Sequence, residues 1–330
     1  MKKILVTGGA GYIGSICVEE LLNRGYQVAV FDNLTEGHGK AIDPRADFYQ
    51  GDLADRSVLR HAFEQAKPEA VMHFAANALV GESMTNPSKY FRNNVASGIN
   101  LLDMAVESGV KKFVFSSTCA TFGIPDRMPL DESLPQRPIN PYGESKLMFE
   151  SILRWYEKIH GLSFVALRYF NAAGASSDGV IGEDWTYSQN LVPLVMKAAL
   201  GRITELQVFG DDYPTPDGTC LRDYVHVDDL SRAHLDVLSK LHAPGQALFY
   251  NLGTGTPYSV KDVIASVGRI LGRPVPHEFA PRREGDPPAL YADASKVRRE
   301  LGWSPRYATL DDIVRTACAW HLARPAGFAS

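Results

Sequence analysis

Ile4-Leu5-Val6-Thr7-Gly8-Gly9-Ala10-Gly11-Tyr12-Ile13-Gly14 is the stretch that decides the fold. Ile4, Leu5 and Val6 form a short apolar run halted by glycines, which reads as a buried strand. Beyond it Ile13, Ile16, Cys17 and Leu21 recur at helical spacing, and Gly25 supplies a stop. Strand, glycine turn and helix in that order are the context a dinucleotide fingerprint requires. A side chain at Gly8 or Gly11 would block the turn or the approach of phosphate to backbone N–H groups, and Gly14 lets the helix lie close on the strand. The helix N-terminus then offers orphan donors and partial positive charge to a pyrophosphate.

Working outward, Val28-Ala29-Val30-Phe31 reads as a second strand with Asp32 at its end. A carboxylate there accepts both ribose hydroxyls of NAD and repels the 2′-phosphate of NADP, so NAD is the expected cofactor. Strands are predicted at residues 3–7, 27–31, 47–49, 70–75, 111–116 and 163–168, with the longest helical spacers near 86–109 and 141–160. This alternation predicts an α/β fold, a doubly wound parallel Rossmann sheet. After about residue 170 the pattern turns to loops rich in Gly, Ser, Asn, Asp and Pro, which predicts a smaller mixed α/β lobe. Val227–Leu241 and Leu248-Phe249-Tyr250-Asn251 read as a helix and strand returning to the first lobe. The expected domains are therefore 1–170 plus roughly 227–253, and 171–226 plus 254–330.

Composition narrows the function. The chain has 330 residues, 45% of them hydrophobic, and a formal net charge of −4, enough for a full core and two lobes. No concentrated cationic face argues for nucleic acid, and no apolar stretch reaches the length of a membrane span. The N-terminus runs straight into the first strand, leaving no room for a signal peptide. Cys17, Cys119, Cys220 and Cys318 are scattered without metal-ligand spacing, and they read as reduced thiols of a cytoplasmic protein. No metal is expected.

The second informative stretch is Tyr142-Gly143-Glu144-Ser145-Lys146, preceded by Pro141. Proline at the first helical position is common, and it places Tyr142 and Lys146 on one face. A free tyrosine titrates at about 10 and is a poor base at neutral pH. A nearby ammonium, and the positive ring of an oxidised nicotinamide, favour the phenolate and predict a general base. Ser116-Ser117-Thr118 follows the apolar run 112–115, at the carboxyl end of a strand where chemistry is expected, and Thr118 is the candidate to hydrogen-bond the reacting oxygen.

Together the glycine turn, the Ser-Ser-Thr segment and the Tyr-x-x-x-Lys helix resemble the extended short-chain dehydrogenase/reductase superfamily. Further stretches narrow the resemblance to the UDP-glucose 4-epimerase family. They are His73-Phe74-Ala75-Ala76, Val80-Gly81-Glu82-Ser83, Leu167-Arg168-Tyr169-Phe170-Asn171, Phe209–Thr215 with Asp217-Gly218-Thr219, Arg222–Val227 and Ala280–Asp286. The similarity runs from the N-terminus to about residue 315. It implies an isomerase in which Tyr142 takes the proton of a sugar 4-hydroxyl while NAD takes the C4 hydride. The 4-keto sugar then turns and receives the hydride on its other face. The resemblance implies catalytic Tyr142, Lys146 and Thr118. Its cofactor set is Gly8, Gly11, Tyr12, Ile13, Gly14, Asp32, Asn33, Asp52, Leu53, Phe74, Ala75, Ala76, Asn93, Ser116, Tyr142, Lys146 and Tyr169, with Asp52 and Leu53 flanking the adenine. Its UDP-sugar set is Thr118, Tyr142, Asn171, Asn190, Leu191, Gln207, Phe209, Arg222, Arg283, Asp286 and Leu290. Rotation needs an anchor that stays still, and the planar, permanently charged guanidiniums of Arg222 and Arg283 suit a diphosphate.

Three positions depart from well-known members of that family. Ala78 replaces a lysine near the cofactor, Phe122 a tyrosine, and Leu290 stands where size varies beside the sugar, predicting room for N-acetylated sugars. Cys119-Ala120 after Thr118 lack the acidic pair of the 4,6-dehydratases. UDP-xylose/UDP-arabinose and UDP-GlcNAc/GalNAc epimerisation remain open. A non-catalytic NAD-sensing regulator on the same fold would have no need of the tyrosine–lysine pair. The helices at 86–109 and 141–160 suggest a homodimer built on a four-helix contact.

Overall fold

Branched and aromatic runs form thirteen strands among the described residues, and the glycine and proline stretches separate them. In the computed structural model, residues 2–186, 188–242, 244–283 and 286–329 are described. The strands are β1 Lys3–Thr7, β2 Gln27–Asp32, β3 Asp47–Gln50, β4 Ala70–His73, β5 Lys112–Thr118, β6 Ser163–Tyr169, β7 Asn171–Ala173, β8 Leu206–Phe209, β9 Leu221–His226, β10 Ala247–Leu252, β11 Pro257–Ser259, β12 His277–Ala280 and β13 Ala289–Leu290. The chain divides into two compact units. One comprises Met1–Ile124, Glu132–Tyr169 and Ser231–Asn251, the other Pro125–Asp131, Phe170–Leu230 and Leu252–Ser330.

The first unit is built on a seven-stranded sheet in the order β10-β6-β5-β4-β1-β2-β3. The pairs β1/β2, β1/β4, β2/β3, β4/β5 and β5/β6 are all parallel. Strand order reverses beside β1, the switch point where such sheets bind dinucleotides. Leu5, Phe31, Val71, Phe113, Phe115 and Phe164 of the strands pack with Leu59, Phe63, Leu101, Phe149 and Leu153 of the helices. These side chains are wholly or almost wholly removed from water, and each contributes about 1.5–3 kcal/mol of burial.

Several predicted elements differ in extent, three of them beside the candidate site. β4 stops at His73 rather than at residue 75, because the N–H groups of Phe74 and Ala75 both turn to the Thr7 carbonyl at 2.8 and 3.1 Å. β5 runs on to Thr118, so the Ser-Ser-Thr segment is strand and not turn. The predicted helix 86–109 is three pieces: Pro87–Tyr90, a π-helical Phe91–Ser97, and Gly98–Glu107.

In the second unit β9 pairs antiparallel with β11 and parallel with β13 and β7, while β8 and β12 form a separate parallel pair. Val192, Val195 and Met196 pack with Val263, Val267, Ile313 and Val314. Asp223 of β9 is fully buried. Its carboxylate accepts from Thr254 N and Oγ1, Gly255 N and Ala292 N at 2.7–3.1 Å. Segment 125–131 groups with this unit because Leu130 exchanges backbone hydrogen bonds with Tyr291 and Asp293. That pairing spans more than 150 residues and left no mark in the local sequence pattern.

Candidate functional site

In the first unit the candidate residues gather at the carboxyl ends of the parallel strands. Gly8 has φ +75, and a Cβ there would lie 2.5 Å from Ala75 N. A Cβ on Gly14 would lie 2.1 Å from the Gly8 carbonyl oxygen, so turn and helix touch backbone to backbone. At Gly11 the protein itself leaves more room, 3.3 Å to Gly8 O. A Cβ there would still be a tight contact, but one that a small shift could relieve. Gly11 is the N-cap of the helix Tyr12–Asn23 and has no side chain to occupy the first N–H groups, which carry Tyr12 and Ile13.

Asp32 ends β2, and its two carboxylate oxygens are aimed by Ala10 N–H at 3.0 Å and Leu34 N–H at 2.9 Å. Asn33 donates to Asp52 at 2.8 Å, the neighbouring loop acid, and Leu53 beside it is buried. Phe74, Ala75 and Ala76 follow β4, with the Phe74 ring 4.8 Å from that of His234. Ala78 is exposed and Phe122 buried. A turn that only glycine fits, an uncapped helix end and an oriented carboxylate fit a dinucleotide, and they fit it where the strand order reverses.

Tyr142 and Lys146 lie on the helix Pro141–His160, whose start is fixed by Pro141 and by Asn140 Oδ1 accepting from Gly143 N–H at 2.8 Å. Both side chains are buried. The Thr118 side chain neighbours the Tyr142 phenol. Lys146 Nζ donates to the Ser116 carbonyl at 2.8 Å. Ser116 Oγ is 2.7 Å from Tyr169 OH. Asn93 lies in the π-helical segment and donates to Asn94 at 3.0 Å.

The electrostatics differ from the expectation that Lys146 lowers the tyrosine. Burial pushes the Tyr142 phenol well above its ordinary value, and the Thr118 side chain beside it only partly offsets this. Burial also lowers Lys146 to about 7, against the pull of Glu150, so its charge is itself only partial at neutral pH. Desolvation therefore disfavours both ions of the pair in the protein alone.

Sequence reasoning missed several groups that shape this end of the sheet. Asn94 is buried in the π-helical turn and donates to Asn77 O and Ser145 Oγ, both at 3.0 Å. π-Bulges are frequent at functional sites. His73 is buried, 2.7 Å from Thr7 Oγ1, and its pKa is lowered to about 3 by burial and by Lys146. Glu150 and Arg168 form a buried ion pair at 2.6 Å.

In the second unit Arg222, Arg283, Asp286 and Leu290 come together. Arg283 pairs with Asp286 at 2.9 Å, and Arg222 Nη2 lies 3.7 Å from the same carboxylate. Arg222 Nη1 donates to the carbonyls of Leu221 and Pro287, both at 2.9 Å. Leu290 is buried on β13 directly opposite Arg222. Two guanidiniums share one carboxylate, which leaves a net positive charge with fixed donors, a good match to a diphosphate. Adjacent Asp223 takes no part in this. Arg283 lies 5.6 Å from the centroid of Phe209, an exposed ring on β8. Gln207, on the same outer face, donates to Glu278. Asn171 begins β7, opposite Tyr224 of β9. Asn190 is the N-cap of the helix Leu191–Ala199, yet its side chain donates to buried Glu183 at 2.6 Å. Among the described residues no cluster of His, Cys, Asp and Glu could hold a metal.

Burial also lowers His226 to about 3 and His321 to about 4. With His73 that makes three imidazoles held neutral. Each has a folded pKa below the ordinary value near ~6.5, so the unfolded chain takes up the proton first as pH falls. Their stabilisation is intact above pH ~6.5 and is lost progressively below it. Glu183, raised to about 7, and Asp228, raised to about 6, act in the opposite sense. The three histidines outweigh the two carboxyls, so the thermal midpoint is expected to fall between pH 6.5 and pH 4.5, read by scanning fluorimetry. A flat or rising midpoint would contradict the buried-neutral histidines.

Fold and site together define an NAD-binding enzyme of the doubly wound class. The sequence profile of the NAD dependent epimerase/dehydratase family matches residues 4–253. The chain is 49% identical over 327 residues to the UDP-glucose 4-epimerase of Streptococcus mutans serotype c, covering 98% of each. The crystal structure of UDP-glucose 4-epimerase from Brucella ovis in complex with NAD superposes with a TM-score of 0.92 at 47% identity, covering 96% of this chain and 98% of that one. The enzyme from Bifidobacterium longum in complex with NAD+ and UDP gives 0.94 at 41% identity, covering 99% and 100%. The chain belongs to the NAD dependent epimerase/dehydratase family, in its UDP-glucose 4-epimerase branch. Among the described residues no helix is long and apolar enough to cross a membrane.

Proposed function

We propose that the protein inverts C4 of a UDP-sugar, UDP-glucose and UDP-galactose foremost, through a transient 4-keto sugar. The observation that carries this reading is that Tyr142, Lys146 and Thr118 gather at the end of β5, on the same carboxyl edge of the parallel sheet as the glycine turn after β1. Gly8, Gly11, Gly14, Asp32, Asp52 and Phe74 would hold NAD. When bound, NAD accepts the C4 hydride, returns it, and in its oxidised form adds positive charge near the tyrosine. Tyr142 Oη takes the proton of the 4-hydroxyl and gives it back after the sugar has turned. Burial opposes the phenolate that the first step needs; Lys146 and, with NAD bound, the positive ring charge would favour it, and the proton taken from the 4-hydroxyl is the one returned in the second step. Thr118 orients the proton in both directions. The first unit is thus the NAD-binding domain and the second the nucleotide-sugar lobe. There Arg222 and Arg283, poised by Asp286, anchor the diphosphate, while Asn171, Asn190, Leu191, Gln207, Phe209 and Leu290 complete the substrate set.

A homodimer in the cytoplasm is the expected working form. Met148, Trp155 and Ile159 recur at helical spacing on the Pro141–His160 helix and are 41%, 59% and 66% exposed, an apolar stripe suited to a second copy. The test of function is purified protein without added NAD, incubated separately with UDP-galactose, UDP-arabinose and UDP-GlcNAc and read by product chromatography. Conversion of UDP-galactose to UDP-glucose is expected. No conversion of any of the three would remove the reading, and inert UDP-GlcNAc beside active UDP-galactose would remove the wide-pocket expectation for Leu290.

A further inference from the structure

The helix Pro141–His160 meets the end of β5 at three points, and only two of them belong to the tyrosine–lysine pair. Tyr142, Lys146 and Glu150 follow one another at i, i+4 and i+8, so they form one buried row. The Thr118 side chain neighbours the Tyr142 phenol, and Lys146 donates to Ser116 O. Between these, Ser117 Oγ donates to Glu150 Oε1 at 2.6 Å. Ser117 is fully buried, and its side chain points opposite to those of Ser116 and Thr118. A slip of one residue along the strand would therefore break all three contacts at once.

Glu150 is in turn gripped from β6. Arg168 lies directly opposite Ser117 in the strand register. Its Nε donates to Glu150 Oε1 at 2.9 Å and its Nη2 to Oε2 at 2.6 Å. Gln136 closes the ring, accepting from Arg168 at 3.1 Å and donating to Glu150 at 3.3 Å. The guanidinium is wedged between the rings of Phe249 and Phe122, at 4.9 and 5.4 Å. Buried ion pairs of this kind are poor sources of net stability, since well-packed apolar residues of equal volume do as well or better. What a fully satisfied pair supplies is a single geometry, fixed by directional bonds to two strands.

We propose that Ser117, Glu150 and Arg168 are positioning residues of the epimerase reaction, which fix the height and rotation of the Pro141–His160 helix against β5 and so place Tyr142 Oη and Lys146 Nζ. The proposal rests on the reading that this pair performs the chemistry. Proton transfer is steep in distance, and a displacement of about 1 Å from a change outside the reacting groups can lower turnover by about a hundredfold.

The test uses the full-length protein with its bound NAD and UDP-galactose as substrate. Ser117→Ala removes one hydroxyl and leaves the ion pair; Glu150→Gln keeps the shape and weakens the grip. The expected result is a fall in kcat of about tenfold for the first and about a hundredfold for the second, with KM within about twofold and NAD content equal to the parent's. A role in stability alone would lower the thermal midpoint and leave kcat of the folded, NAD-loaded enzyme near the parent value. A kcat within about threefold of the parent in Ser117→Ala overturns the proposal, whether or not Glu150→Gln folds. Tyr142→Phe is run alongside. If it is inactive while Ser117→Ala turns over normally, the positioning role alone has failed; if it is fully active, the assignment of the pair has failed and this proposal with it.

Discussion

Tyr142→Phe is expected to abolish epimerisation while the protein stays folded and keeps its NAD. The substitution deletes one oxygen from a ring that is 8% exposed and leaves the packing edge against Tyr90, 6.5 Å between centroids, in place. Lys146 keeps its hydrogen bond to Ser116 O, and the glycine turn and Asp32 are untouched. The Thr118 hydroxyl stays anchored, accepting from the Ala120 N–H at 3.1 Å. Only the proton path changes. A positioned acid or base contributes about 10²–10⁴-fold to a proton-transfer step. Here the same atom serves both halves of the cycle, so the loss is expected at or beyond the upper end of that range. Turnover with UDP-galactose and NAD released on denaturation are the two measurements. Full turnover would show that another group moves the proton; loss of NAD together with turnover would show that Tyr142 is a binding residue and leave the proton path unassigned.

Most of this unit was legible because its signals are local. The branched runs Ile4-Leu5-Val6 and Val28-Ala29-Val30-Phe31 became β1 and β2, and Pro141 opened its helix as expected. The misses share one cause, which is that distant partners decided them. Nothing near Phe91–Ser97 announces a π-helical turn; it is held by Asn94 reaching Ser145, 51 residues away. The end of β4 is set by the Thr7 carbonyl. Glu150 and Arg168 did carry a signal. A carboxylate four residues beyond Lys146 on the buried face, and an arginine closing Phe164-Val165-Ala166-Leu167, are charges in apolar rows. Such charges are almost never buried without a partner, and each is the other's. The tyrosine's pKa was read in the wrong direction for the protein alone because sequence shows the neighbouring charge and not the desolvation. In the second unit the same limit applies. Arg222 and Arg283 stand out in the sequence as candidate anion ligands, but that Asp286 faces both could be seen only once the loop and β9 were side by side.

Gly14→Ala should empty the cofactor site more thoroughly than any change of a polar ligand. The added methyl would sit 2.1 Å from the Gly8 carbonyl oxygen, 2.9 Å from Gly8 C and 3.1 Å from the Gly9 Cα. All three are backbone atoms, so no side chain can step aside. Gly8 itself cannot yield. Its φ of +75 and the 2.5 Å from its own would-be Cβ to Ala75 N hold it against the loop after β4. The helix Tyr12–Asn23 must therefore move away from the turn. Gly14, Ser15, Ile16, Cys17 and Val18 are buried in that helix, so the shift is resisted by its core side as well. Overpacking of this kind costs about 1–3 kcal/mol, and the displaced helix carries its N–H groups away from the pyrophosphate. Bound NAD in the purified variant is expected to drop by at least about tenfold, with turnover falling in proportion and partly restored by millimolar added NAD. Gly39→Ala is the control, since a Cβ at Gly39 meets nothing within 4 Å and should leave NAD content unchanged. Parent-level NAD in Gly14→Ala would mean that the dinucleotide does not depend on this contact of turn and helix, and the cofactor assignment built on residues 8–14 would have to be abandoned.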